Sequence, residues 1–548
     1  MKKRSSLSIM VSLVVLMESM LLPMIAAILL GTLGHLAAIA IPVLGSLILY
    51  SFSQGESVQL YTILLIASGV LRGFLRYGEQ SLNHYIAFKL LAKIRHEVFK
   101  KLRTLAPAKL DEKDRGQIIA TVTKDVELLE VFYAHTLSPI AIAVLVSIIM
   151  LTFIASFAGM YAMISLVSYL LVGAVLPMIV YKYGSQSADL KRASTSEINA
   201  RLLEMSNSYE SIMEYDADKK SLDSIISLNT EIHNAQGRLS HYTGINRLLT
   251  ELSVIGGALM YLVLAKEIGL SSLIVAVVAH LSSFGPLISL SNLSSDLVHT
   301  FAAGRRVLDL LDEEPVIQSY GSHTINDKST VSVENISFAY VDEDVLNDVS
   351  IQFKPGTIYG IEGASGSGKS TLLKLLMRYW DSQNGSIRFD STSIADITND
   401  SLRSYESSMS QTTEIMTGTI YHNIASVNEN ATKEDVFEAA KKASIHDFIM
   451  SLPKGYQTLV DKKSSFLSAG ERQRLALARM FCHDGEMFIL DEPTSNIDSL
   501  NEALILKSLY ASSKDKLVVL VSHRPSTLTI ANQRYMMDSG KLTMKNSL

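Results

Sequence analysis

The sequence predicts a membrane protein of two unlike parts: an all-α half of six membrane spans, then a soluble α/β domain built around a phosphate loop. Three observations lead there. The mean hydropathy of the 548 residues is +0.24, high for a water-soluble enzyme, so part of the apolar content belongs in a bilayer. That content is gathered in the first 300 residues, in runs long enough to cross one. Finally, Gly363-Ala364-Ser365-Gly366-Ser367-Gly368-Lys369-Ser370-Thr371 stands between the apolar run Ile358–Ile361 and a leucine-rich helix start, the context of a P-loop. The expected boundaries are 1–300 for the membrane half with its long cytoplasmic helical extensions, 301–330 for a linker and 331–548 for the soluble domain.

The chain begins with Lys2, Lys3 and Arg4 and then runs apolar from Leu7 to Met17, which suits an interfacial helix leading into a span. Apolar stretches near 22–50, 57–75, 132–155, 160–181, 247–265 and 271–294 are the six predicted spans. Basic residues gather in the second and fourth connections, among them Lys89, Lys93, Arg95 and Lys100 in one, and Lys182, Lys191, Arg192 and Arg201 in the other. By the positive-inside rule both connections and both termini are cytoplasmic, which predicts a multi-pass protein of the cell membrane surrounded by lipid. Ile86, Leu90, Ile94, Val98 and Leu102 recur at helical spacing, so the spans are expected to continue as helices well into the cytoplasm. A formal charge of −5 and a pI near 6.2 give no sign of a nucleic-acid partner. The single cysteine, Cys482, excludes an internal disulfide.

In the soluble domain the glycines Gly363, Gly366 and Gly368, with Ser365 and Ser367, let backbone N–H groups turn inward around phosphate, and the helix N-terminus adds its positive end. Lys369 is then placed to neutralise β- and γ-phosphate oxygens, Ser370 to ligate Mg²⁺, and Thr371 to donate near the α-phosphate. Two short, continuously apolar runs, Met487–Leu490 and Leu517–Val521, read as buried parallel strands that deliver Asp491, Glu492 and His523 to the same place. Asp491 would hold Mg²⁺, Glu492 would orient or deprotonate an attacking water, and His523 would reach the γ-phosphate.

Between these strands and the P-loop lies Leu467-Ser468-Ala469-Gly470-Glu471-Arg472-Gln473-Arg474, which resembles the signature sequence of ATP-binding cassette (ABC) proteins. The resemblance extends to Tyr340 as the adenine-stacking aromatic, Gln411 as the Q-loop glutamine beside Mg²⁺ and the catalytic water, Ser495–Asp498 as the D-loop and His523 as the switch histidine. It implies ATP and Mg²⁺ as the ligands. It also implies that Ser468 and Gly470 bind the γ-phosphate of nucleotide held by a second subunit, so that one cassette per chain calls for a partner chain. Six spans ahead of one cassette resemble an exporter-type half-transporter, with the fold and ATP-driven transport of a small substrate that this entails.

Two departures from the family pattern, Ala469 for the usual glycine and Lys462 in a loop that usually carries glycine and glutamate, imply unequal ATP sites and favour a heterodimer, with a homodimer as the alternative. Within residues 72–145, Arg76-Tyr77-Gly78-Glu79, His84, Phe88, Leu105-Ala106-Pro107-Ala108, Asp125-Val126 and Ser138-Pro139 are similar to the CydC half of the CydDC family, associated with thiol export and haem. That likeness implies a thiol or haem-related substrate and haem contact at His84, although a histidine packed on a long helix is the simpler reading. Gln80 stands where those proteins tend to have a basic residue. An importer of exporter shape, a multidrug exporter, and a membrane-anchored ATP-binding regulator are the competing readings.

Overall fold

The computed structural model describes residues 6–111, 115–215, 218–264, 267–292, 294–317, 321–340, 343–461 and 466–545. The basic start (Lys2, Lys3, Arg4) and the Lys462 departure lie outside the described residues. The chain divides into two compact units, the first running to Thr104 and resuming over Lys113–Glu313, the second comprising Leu105–Glu112 and Glu314–Leu548.

The first unit is helical throughout. Its main elements are α1 (Ser6–Leu16), α2 (Leu21–Ser53), α3 (Gln59–Leu105), α4 (Ser138–Ala158), α5 (Leu176–Asn207), α6 (Asp218–Leu264), α7 (Leu270–Ser282) and α8 (Ser294–Asp312). Among the described residues, five helical stretches are long and apolar enough to cross a membrane: Glu18–Ser53, Gln59–Leu105, Gly116–Gly184, Leu222–Leu264 and Leu270–Leu290. The third holds 69 residues, far more than the roughly 20 that a bilayer needs. A tight turn at Gly159–Ala162 breaks it, with Gly159 at φ +56°, and the third and fourth predicted spans lie on its two sides.

The helical extensions are present as expected: α3 and α6 are each 47 residues long, and α5 is 32. Ile39, Val43, Ile142, Val146, Met150, Tyr169 and Tyr261 form the core where the span helices meet. Leu22, Leu29, Leu33 and Phe74 face outward, as a lipid-facing surface requires. On α1, Ile9 and Leu13 are fully buried, while Val11 and Val15 on the other face stay exposed. Gly304 leaves the room for Ile9 and Leu13, and Tyr133 donates a hydrogen bond to the Leu13 carbonyl at 3.0 Å. Arg306 on α8 grips Asp125 with two hydrogen bonds of 2.7 and 2.6 Å.

Among its described residues the second unit carries two main sheets and a two-stranded one that pairs Gly418–Thr419 with Leu459–Val460. β1 (Val331–Tyr340), β2 (Glu343–Phe353) and β4 (Asn384–Phe389) form an antiparallel sheet ordered β2-β1-β4, with a short fourth strand at Thr392–Ser393. The larger sheet runs β9-β8-β3-β7-β6-β5 and uses β3 (Ile358–Glu362), β5 (Glu406–Met409), β6 (Met487–Asp491), β7 (Leu517–Val521), β8 (Gln533–Asp538) and β9 (Lys541–Met544). Only β9 is antiparallel. Met487–Leu490 and the whole of β7 are buried on both faces, which is why these runs show no alternation. Part of the stretch expected to be a free linker is fastened to this unit: Gly321 and His323 donate to the Ile397 and Asp396 carbonyls, and Ile325 donates to Ser401 Oγ.

Candidate nucleotide site

β3, β6 and β7 lie side by side and parallel, so their C-terminal ends open onto one edge of the sheet. The loop after β3 turns directly into α9 (Lys369–Leu376). Gly368 at φ +105° makes that turn, and a Cβ there would sit 2.8 Å from Leu346 Cδ2 and 2.9 Å from the Val345 carbonyl oxygen. Only glycine suits both the conformation and the space.

The result is an open cavity of about 690 Å³. Gly363, Ser365, Gly366, Gly368, Lys369, Ser370 and Thr371 form one wall, and Gln411, Asp491, Glu492 and His523 face them. Ser370 Oγ donates to Asp491 Oδ2 at 2.7 Å, which joins the two expected Mg²⁺ ligands. Burial pushes the Asp491 carboxyl above its ordinary value, opposed by the Ser370 hydrogen bond. Lys369 is buried, and its ammonium donates to the Gly363 and Ala364 carbonyls at 3.0 and 2.6 Å and to Ser367 Oγ at 3.3 Å. Burial lowers its pKa, while the nearby Glu492 and Asp491 raise it. Such a hard, all-oxygen donor set fits Mg²⁺, and the cationic wall fits a polyphosphate.

Glu492 sits immediately beyond β6 at φ +52°, a conformation unfavourable for any residue but glycine. Its N–H donates to the Val521 carbonyl at 2.9 Å, and its own carbonyl accepts from Gln473 Nε2 at 2.7 Å. The strain, about 1–3 kcal/mol, is held by these two bonds and turns the side chain into the cavity. There Glu492 Oε1 lies 2.8 Å from His523 Nδ1, with the carboxylate mostly enclosed and the imidazole more than half exposed.

The remaining candidates lie elsewhere. Tyr340 ends β1 and does not line the cavity; its ring meets Phe338 and Trp380 edge to face at 4.9 and 5.3 Å. Ser468 and Gly470 are also outside the cavity, at the start of α10 (Ala469–His483). Ser468 caps that helix in a reciprocal box: Glu471 N–H donates to Ser468 Oγ, and Ser468 N–H to the Glu471 carboxylate at 2.6 Å. A Cβ on Gly470 would lie 2.9 Å from the Asn496 carbonyl oxygen, whereas the methyl of Ala469 is exposed. His84, in the first unit, has Nδ1 3.5 Å from Glu130 Oε1 and its ring beside Phe88 and His135.

Two supporting residues escape sequence reading. Gln473 on α10 binds the Glu492 carbonyl and Ser495 Oγ through its amide nitrogen and accepts from Asn496 N–H through its oxygen. Arg524 donates to the carbonyls of Thr494, Ser495 and Ile497. Their partners are mostly backbone atoms of one loop, which no spacing rule exposes, although their places beside the signature and His523 were a signal.

The ABC transporter family model matches residues 346–495, and the ABC transporter transmembrane region matches residues 24–287. A probable ABC transporter ATP-binding/permease protein of Haemophilus influenzae is 44% identical over 525 residues, covering 94% of this chain and 95% of the relative. A fatty acid ABC transporter ATP-binding/permease protein of Mycobacterium bovis is 28% identical, with 88% of this chain and 78% of that protein covered. An ATP-dependent lipid A-core flippase of Idiomarina loihiensis is 27% identical over 89% of this chain and 86% of its own length. Among solved structures, a bacterial Atm1-family ABC exporter with ATP bound superposes with a TM-score of 0.83 at 21% identity, covering 96% of this chain and 95% of that one.

Proposed function

The chain belongs to the ABC transporters that carry a membrane region and an ATP-binding domain on one polypeptide, and on that premise we propose that it is one half of a heterodimeric pump for a small solute. The observation that carries the ATP-driven part is the meeting of Lys369, Ser370, Asp491, Glu492 and His523 around one cavity. Lys369 neutralises phosphate oxygens. Ser370, Gln411 and Asp491 would hold Mg²⁺, which when bound offsets charge on the β- and γ-phosphates. Glu492 accepts the proton of the attacking water, and His523, through its hydrogen bond, fixes the direction of that carboxylate. A nucleotide-only regulator has no use for such a base.

Ser468 and Gly470, remote from the chain's own cavity, serve the nucleotide of the partner subunit, and Tyr340 supports the adenine. The basic connections place both termini and the ATP-binding domain in the cytoplasm, with the helices in the cell membrane. The CydC likeness favours a thiol or haem-related cargo exported by alternating access. The relatives named for fatty acids and lipid A-core support lipid or drug export as the second reading, and import remains the reverse of either. For haem, His84 offers a ring whose Nδ1 accepts or donates no hydrogen bond among the described residues.

ATP turnover by the purified complex tests the core of this reading: Lys369→Ala should weaken ATP binding, and unchanged affinity would remove that lysine's role. A Soret band on haem addition, lowered by His84→Ala at equal expression, is the outcome the haem reading expects. No band would leave His84 as a packing residue.

A further inference from the structure

A second cavity, of about 220 Å³, opens inside the membrane unit, lined by His35, Arg76, Glu79, Gln80, Asn83 and His135 among apolar neighbours. Ionisable side chains buried inside a helical bundle are costly and mark function more often than architecture. The chain nevertheless makes room for one. Glu79 is 3% exposed, and Gly31 on α2 packs so tightly on it that a Cβ would lie 3.0 Å from the carboxylate carbon. Arg76 Nη1 donates to Glu79 Oε2 at 2.7 Å, with the arginine half exposed at the mouth.

Asn83 lies one turn beyond Glu79 on the same face of α3. It is 2% exposed, lines the cavity, and its Oδ1 accepts no hydrogen bond among the described residues. Leaving a buried amide oxygen unsatisfied costs about 1–3 kcal/mol. The same bundle shows what a closed structural network looks like. His280 is fully buried, with Nδ1 2.9 Å from Ser165 Oγ and Nε2 3.1 Å from the Val254 carbonyl, and Ser165 is in turn 2.9 Å from Tyr261 Oη. There the polar atoms are used up; at Asn83 the amide oxygen is left open.

Acceptors at the floor and a guanidinium at the mouth call for a ligand whose buried end donates hydrogen bonds and carries positive charge. The volume matches about seven water molecules, too little for a porphyrin or an acyl chain. We propose that this cavity binds the ammonium group of a small polar solute, an amine or an amino-acid zwitterion. Glu79 and Asn83 accept its N–H groups, and Arg76 meets a carboxylate where the solute has one. That the solute is also the cargo rests on the transporter reading; that it binds does not.

Equilibrium binding of radiolabelled putrescine and L-alanine to the full-length chain purified with its partner in lipid nanodiscs, with ATP turnover measured on the same samples, tests this. Saturable binding of at least one probe is expected, weakened about tenfold or more by Asn83→Leu through loss of the acceptor. Arg76→Gln should weaken L-alanine and spare putrescine if the zwitterion is the ligand class, and spare both if the simple amine is. Should Asn83→Leu fail to fold, Ser289→Leu, at an exposed lining position, should block the cavity and lower binding alike. No saturable binding of either probe, or binding unaffected by both leucine variants, overturns the proposal. Binding as expected without any stimulation of turnover supports the site and counts against its solute as cargo.

Discussion

Glu492 shows how much of the candidate chemistry depends on its neighbours. Its strained backbone is held by Val521 on one side and by Gln473 on the other, and its carboxylate is aimed by His523. Gln473→Leu should therefore cost about 1–3 kcal/mol of stability, because the Glu492 carbonyl and Asn496 N–H lose their partners. It should also lower turnover more than ATP affinity, since the residue positions the base and not the phosphates. Parallel unfolding, ATPase and nucleotide-binding measurements check this; a fall in affinity alone would contradict it. Glu492, Asp491 and His523 were legible in the sequence because each ends a short buried strand. Gln473 was not, because a helix position announces its face and not the loop carbonyl it will meet.

β5 presents a different consequence of burial. Glu406 opens that strand almost wholly enclosed, and burial pushes its carboxyl up to about 7 against the pull of its ion pair with Arg403. A carboxyl whose pKa is raised on folding binds more protons in the folded state, so stability is greatest in acid and declines as pH rises from its ordinary value of 4.5 towards 7. The decline from this group is about 3 kcal/mol. Glu406→Gln should flatten the unfolding curve over that window, and a pH dependence unchanged by the substitution would show that another group is responsible. Nothing in Tyr405-Glu406-Ser407 foretold the burial, since a polar residue opening a strand is ordinarily solvated. The long helices were legible from the spacing of Ile86, Leu90 and Ile94, and the turn at Gly159–Ala162 falls between the third and fourth predicted spans.

Taken whole, one chain carries two separated sets of candidate nucleotide contacts: the cavity at the ends of β3, β6 and β7, and the Ser468–Glu471 cap of α10 outside it. This division was legible once both motifs were seen in one domain, because a signature that served its own P-loop would have to lie in the same cavity. In the proposed heterodimer the chain's cavity would pair with the partner's signature, and its altered signature would cover the partner's P-loop. Since Ala469 is exposed, any effect of its methyl would fall on the nucleotide of the proposed partner. Ser468→Arg should therefore lower turnover less than Glu492→Gln does. Equal losses, or full activity from this chain alone, would count against unequal sites. The central claim, ATP hydrolysis based on Glu492, meets its most direct test in the Glu492→Gln complex reconstituted in lipid with its partner. ATP should still bind with near wild-type affinity while turnover falls about 10²-fold or more, because the amide keeps the shape but cannot take the water proton. Turnover at the wild-type rate would contradict it.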